Sequence, residues 1–303
     1  MINFIKLDYL NALPMQDFFR VLNANICDRS IGSLLIWRDY YNTCFFIEND
    51  TLYFKYNLAK KRTVFTYPIS KTGNIDFSPI KKFVLDNNYK TVIFGSLTET
   101  EVADLLSKFP AAKITYNDKW SDYVYNALDL ANLSGKKYHG QKNFVNRFNK
   151  LYPDYEVSFD FLSNIDEIKT FLTNYYAQNV KNSNLFNTEK SVIYSFLDNF
   201  ASLGQEGIVI KVANQIVAVA FGERINDYFY VHFEKANTLI TGSYQKIVNE
   251  FSKKLYLDGV KFINREDDAN DEGLRQSKLA YHPVLMAKKY YAEILVEDFI
   301  KNC

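Results

Sequence analysis

Gly207-Ile-Val-Ile-Lys-Val-Ala-Asn-Gln-Ile-Val-Ala-Val-Ala-Phe-Gly-Glu-Arg-Ile-Asn-Asp-Tyr-Phe-Tyr-Val-His-Phe233 is the stretch from which the fold is read. Gly207 to Val212 and Gln215 to Phe221 are β-branched runs on either side of Ala213-Asn214, which predicts a hairpin with a two-residue turn. Tyr228 to Phe233 predicts a third strand. Upstream, Tyr155 to Phe161 reads as a strand, and Ile165 to Tyr176 and Glu189 to Ala201 as amphipathic helices. The second of these keeps Val192, Phe196 and Phe200 on one face. Downstream, Gly242-Ser243 leads into a helix from Tyr244 to Leu257, and Val260 to Ile263 is again a strand.

The first half carries a related pattern. Thr43 to Ile47 and Leu52 to Tyr56 flank Asn49-Asp50 and predict another hairpin. Ser78-Pro79 opens a helix through Val84, with Pro in the first turn, where it is tolerated. Thr91 to Phe94 is a buried strand, Thr98 caps a helix from Glu99 to Phe109, and Lys113 to Tyr116 returns as a strand. Strands alternating with helices predict an α/β protein with a mixed (α+β) sheet in each half. The order strand, helix, helix, three strands, helix, strand in the second half matches the N-acetyltransferase (GNAT) fold, and the first half is similar in pattern but not in residues. The boundary is placed near Gly135, giving domains 1–135 and 136–303.

A chain of 303 residues suits about two domains. Hydrophobic residues make up 48% and charged residues 23%, enough apolar material for a core in each. The 25 Phe and 23 Tyr are read as core, with base or sugar stacking as the alternative. A net charge of +1 gives no global attraction to DNA, RNA or an anionic membrane, so any polyanion needs a local patch. Cys27, Cys44 and Cys303 are odd in number and widely spaced, which predicts reduced thiols, no zinc site and a cytoplasmic protein. Met1 runs straight into Asn3, Lys6 and Asp8, so no signal peptide is expected. The most apolar run, Gly207 to Gly222, is broken by Lys211, Asn214 and Gln215 and cannot supply the ~20 apolar residues of a membrane span.

Three segments are candidates for function. In Phe262-Ile-Asn-Arg-Glu-Asp-Asp-Ala-Asn-Asp-Glu-Gly-Leu-Arg-Gln-Ser-Lys-Leu-Ala-Tyr281 a buried strand ends in a dense run of charge, at the strand end where open sheets place ligands. Asp271 and Glu272 open a short helix and complement its dipole, and Asp271 is spaced for an i,i+4 pair with Arg275. Two readings stay open. The acids and bases neutralise one another in a solvated turn, or Arg265, Arg275 and Lys278 hold an anion while Glu266, Asp267 or Asp268 binds an amine or acts as base. A calcium loop fails, because the frame from Asp268 puts Leu279 where a bidentate Glu is required. The second segment, Leu133 to Lys150, predicts a helix with Phe144, Phe148 and Leu151 toward the core. Lys142, Asn146 and Lys150 lie opposite, with Asn143 and Arg147 beside them and Lys136, Lys137 and His139 just before. That face suits phosphate contacts or simple solvation. The third, Thr238 to Gln245, sits where acetyltransferases cradle a cofactor pyrophosphate, and Gly242 is the one glycine in it.

Asn264 to Asp268, Asp271 to Arg275 and Lys278 to Pro283 resemble the signature of the phosphatidylglycerol lysyltransferase C-terminal-like family. Tyr123, Tyr125, Leu130, Leu133, Gly135 to Lys137 and Asn143 to Phe148 resemble its central motif, and Cys27-Asp28, Ser30, Leu34-Leu35 and Trp37 a third. The resemblance implies a tandem GNAT-like acyltransferase fold, two related halves packed together with the site between them. It implies transfer of an aminoacyl or acyl group to an amine or hydroxyl acceptor, with aminoacyl-tRNA or acyl-CoA as candidate donor, and no metal. Glu266, Asp267 and Asp268 are then the candidate catalytic groups, and Asn264, Arg265, Arg275, Lys278 and Tyr281 line the substrate. His139 and Asn143 are further substrate-binding candidates, and Lys136, Lys137, Lys142 and Arg147 meet donor phosphates. The alternatives are a non-catalytic ligand-binding protein that keeps the transferase cleft, and an interaction scaffold with an aromatic interface.

Overall fold

Asn49 and Asp50 take left-handed backbone angles (φ 49° and 55°), as do Ala213 and Asn214 (49° and 60°), so both expected hairpins turn through two residues. The computed structural model describes residues 3–22, 24–58, 62–179 and 184–303. In chain order the strands are β1 (Ile5–Lys6), β2 (Cys44–Glu48), β3 (Thr51–Leu58), β4 (Arg62–Phe65), β5 (Ile69–Ser70), β6 (Thr91–Leu97), β7 (Lys113–Tyr116), β8 (Asp122–Asn126), β9 (Glu156–Ser158), β10 (Glu206–Val212), β11 (Gln215–Ile225), β12 (Tyr228–Ala236), β13 (Phe262–Asn264), β14 (Leu285–Ala287) and β15 (Tyr290–Leu295).

The chain divides into two units, Met1–Ser121 with Ala287–Cys303, and Asp122–Met286. The first sheet runs β1-β2-β3-β4-β6-β15-β7, with β5 beside β3, and the second runs β14-β8-β13-β12-β11-β10-β9. These limits differ from the expected division at 135/136. The last strand, β15, returns to lie between β6 and β7, while β8, which follows the first unit in sequence, pairs with β13. Such long-range pairing leaves no mark on local composition.

Among the described residues each unit contains a parallel strand pair joined through a helix. In the first, β4 meets β6 at Phe65 and Phe94, with helix Ser78–Asp86 between them. In the second, β12 and β13 pair from Tyr228–Phe262 to Tyr230–Asn264, with helix Ser243–Leu257 between them. The shared strand–helix–strand element is what makes the halves related.

Aromatic residues fill both cores. Phe77 packs edge-on against Phe94, Phe109 and Phe299 in the first unit. In the second, Phe221 stacks between Phe196 and Phe233 at 5.1 Å from each. Burying each such ring contributes about 2–3 kcal/mol. Local signals act as expected at the helix Glu99–Lys108, where Thr98 and Glu101 form a reciprocal capping box. Two expectations shift. The strand from Tyr155 stops at Ser158, because Phe161 leaves the sheet edge to cover Gly207, where a Cβ would lie 2.2 Å from its ring. Helix His139–Leu151 buries Val145 and Phe148, while Phe144 and Leu151 are exposed. Among the described residues no helix is long and apolar enough to cross a membrane.

Candidate functional site

The parallel strands β12 and β13 part company after Tyr230 and Asn264, since β12 runs on to Ala236 while β13 ends. The carboxyl end of such a pair is where open sheets bind ligands. Two ion pairs bridge the gap. Glu234 of β12 accepts a hydrogen bond from Arg265 Nη2 at 2.8 Å. His232 of β12 lies 2.8 Å from Glu266 through Nδ1 and 3.1 Å from Glu223 of β11 through Nε2.

His232 reaches the gap because of a β-bulge. Phe221 pairs with Phe233 and Gly222 with Val231, so His232 is the extra residue and its ring is turned off the regular alternation. Gly222 permits this, since a Cβ there would lie 1.8 Å from the Tyr230 carbonyl oxygen. The imidazole is fully buried. Burial lowers its pKa, but the hydrogen bonds to Glu223 and Glu266 outweigh it and hold the pKa at about 9. At neutral pH the ring is therefore an imidazolium that donates an N–H hydrogen bond to each carboxylate.

The acidic-basic loop is built around that pair. Asn264, fully buried, donates to Asp122 at 3.0 Å and accepts the Glu266 amide at 2.7 Å. Glu266 takes a left-handed backbone (φ 57°), which aims its side chain back toward β12. The Arg265 side chain is 9% exposed, and its guanidinium lies 5.0 Å above the ring of buried Tyr281. Its Nη1 has no partner among the described residues and faces a cavity of about 10 Å³, room for about one water. Lys278 Nζ donates to the carbonyl oxygens of Arg265 (2.6 Å), Glu266 (3.3 Å) and Asp267, while burial and the nearby Arg265 charge push its pKa down. Buried Asp268 accepts from Tyr123 (2.8 Å) and from Arg275 Nε (2.9 Å). Arg275 thus pairs with Asp268, whereas Asp271, expected as its partner, caps the helix by accepting Leu274 N–H. Asp267 accepts the Ala269 amide.

Two groups, one on this loop and one on the helix Glu272–Leu279 after it, keep unused capacity. Arg275 Nη1 and Nη2 have no hydrogen-bond partner among the described residues, and the side chain is 29% exposed. Glu266 Oε2 is likewise without a partner there, on a side chain 18% exposed. A carboxylate and a guanidinium, each fixed by one contact, suit a ligand that carries a proton to give up and a negative charge to place.

Lys136, Lys137, His139, Lys142, Asn143 and Arg147 are all exposed. Lys137 leans toward Asp129 at 3.5 Å, and its carbonyl meets His282 Nε2 at 2.8 Å, which joins this segment to the end of helix Glu272–Leu279. Lys142 and Arg147 have no ion-pair partner among the described residues. Gly242 is explained by packing: it has φ 82°, and a Cβ would lie 2.5 Å from the Phe144 carbonyl. Glu223, His232 and Glu234 were not among the sequence candidates. The available signal was ionisable residues inside otherwise apolar strands, which seldom sit there without a partner.

Residues 19–293 match the family model described as phosphatidylglycerol lysyltransferase, C-terminal. A conserved protein of unknown function from Bacteroides thetaiotaomicron is similar at 32% identity, with TM-score 0.87 and coverage of 97% of this chain and 100% of that one. L-PGS from Bacillus licheniformis is similar in fold at 15% identity, TM-score 0.64, over 94% and 92%. FemX is similar in fold at 9% identity, TM-score 0.61, over 99% of each. The fold is the mixed α/β one expected, shared with L-PGS and FemX.

Proposed function

The chain belongs to the phosphatidylglycerol lysyltransferase C-terminal family, a family related to transferases, and from that premise we propose that it moves an aminoacyl group from tRNA to an amine or hydroxyl acceptor. The observation that carries the proposal is the pair of half-satisfied groups, Glu266 Oε2 on the loop after β13 and Arg275 Nη1/Nη2 on the helix Glu272–Leu279 that follows it. Glu266 accepts the proton of the attacking nucleophile, a role worth typically about 10²–10⁴ in rate. Arg275 places its N–H groups on the negative charge of the donor. His232, Asp268 and Lys278 position these two, and Arg265 with Glu234 closes the gap between β12 and β13. An acyl-pantetheine chain threading that gap would have to break both ion pairs, which favours the tRNA-borne donor over acyl-CoA. Lys136, Lys142 and Arg147 supply the phosphate contacts.

The test is single-turnover transfer from tRNA charged with a labelled amino-acid mixture to pooled amine and lipid acceptors. Wild-type protein should move label, and Glu266→Gln should slow transfer at least about 100-fold while remaining folded. No protein-dependent movement of label from any charged tRNA sinks the proposal. Saturable binding of charged tRNA without turnover supports the alternative, a ligand-binding protein, for which the bridged gap between β12 and β13 is the favouring observation.

A further inference from the structure

Cys27, in the N-terminal motif that the transferase reading leaves unexplained, lies against a lysine in the first unit. Lys289, in the turn that feeds β15, places Nζ 3.2 Å from Cys27 Sγ and 2.7 Å from Asp28 Oδ2. Asp28 also accepts from Ser96 Oγ at 2.5 Å. The turn Cys27–Arg29 is held in place by Arg29, whose side chain is 1% exposed and bonded to Glu101 at 3.1 Å. Cys27 and Lys289 are themselves buried, so their separation is fixed by packing and not by two free side chains meeting. We propose that Cys27 and Lys289 form an oxidative cross-link, a sulfenamide between Sγ and Nζ, when the protein meets a peroxide.

The chemistry follows from the contact. The thiolate is the form that attacks peroxide, and the sulfur has the Lys289 ammonium at 3.2 Å and the Asp28 carboxylate at 3.7 Å. Sulfur takes one hydroxyl of the peroxide and is oxidised by two electrons to the sulfenic acid. The other hydroxyl leaves as water with a proton from the Lys289 ammonium. That proton transfer leaves a neutral amine beside the sulfenic acid. Nζ then attacks sulfur, the S–O bond breaks and the S–N bond forms, and the hydroxyl departs as a second water with one amine hydrogen. One peroxide is reduced to two waters, and the protein loses two hydrogens. Sulfenic acids condense with a nitrogen in this way when no thiol is within reach. Lys289 Nζ lies 3.2 Å from the sulfur, and the three cysteines form no disulfide among the described residues.

The bond would close a loop between positions 262 apart in sequence and tie the returning β15 segment to the start of its own unit. Closing so long a loop restricts the unfolded chain, so the oxidised protein should melt higher. The experiment treats the full chain carrying Cys44→Ser and Cys303→Ser with hydrogen peroxide, beside wild type. Expected are an intact mass two hydrogens lighter, a peptide joining Cys27 to Lys289, reversal by dithiothreitol, and loss of all three in Lys289→Arg, which keeps the positive charge. Recovery of Cys27 as a sulfinic acid, or unmodified, with no Lys289-linked peptide in either protein overturns the proposal. So does an unchanged mass loss in Lys289→Arg.

Discussion

Replacing His232 with Gln removes the one positive charge shared by Glu223 and Glu266 while keeping a polar side chain in the bulge. Its folded pKa of about 9, against an ordinary 6.5, makes the charge a source of stability with a defined pH window. Because the folded value is the higher one, the stabilisation is complete below the ordinary value and is lost as pH rises through about 9. At about 1.4 kcal/mol per pH unit the full contribution is about 3 kcal/mol, and about 2 kcal/mol of it disappears between about pH 7 and pH 9. Urea unfolding of both proteins at intervals across that range reads the effect directly. Subtracting the variant's curve removes the other groups that titrate there. The variant should be less stable by about 3 kcal/mol near pH 6, with the difference shrinking toward pH 9. Two parallel curves would show that the ring is neutral in the folded protein.

Gly222→Ala should cost about 3 kcal/mol or more by urea titration, because the added carbon meets backbone at Tyr230 that cannot move without undoing the bulge. A loss under about 1 kcal/mol would mean the bulge is not required. Asp268→Ala should cost about 3 kcal/mol, since it strips both Tyr123 and Arg275 of their buried acceptor, whereas Arg275→Ala, on the exposed side of the pair, should cost about 1 kcal/mol. The reverse order of these two losses would identify Arg275 as structural. Reversing charge at Lys142 and Arg147 should leave stability unchanged and flatten the salt dependence of tRNA binding by about one power of salt for each phosphate no longer neutralised. An unaltered slope would separate that face from the nucleic acid.

The strand and helix order of the second unit could be read in the residues because each turn there carries its own chemistry. Ala213-Asn214 sits between two β-branched runs, and Asp271 caps the helix that follows it. The same holds for Asn49-Asp50 and for Thr98 with Glu101. What could not be read was pairing at long range. Nothing in Tyr290 to Leu295 says that this strand belongs beside β6, about 200 positions earlier. The loop residues of the site were legible as a charged run after a buried strand, but their roles were not. Arg265 and Lys278 look like anion ligands in sequence, yet Glu234 and three backbone carbonyls engage them. His232 was hidden for a different reason. A one-residue bulge reverses which face a side chain takes, and period-two reading of Tyr228 to Phe233 has no means to place it.

Equilibrium binding of a non-hydrolysable aminoacyl-adenosine 5′-phosphate amide, which carries both the aminoacyl group and a phosphate of the donor, followed by calorimetry, tests most directly whether Glu266 and Arg275 together receive the donor. Saturable binding by wild type, weakened at least about tenfold (about 1.4 kcal/mol) in Glu266→Gln and in Arg275→Ala while both variants keep wild-type melting cooperativity, is the predicted result. Equal affinity in all three proteins, or none in wild type, contradicts it.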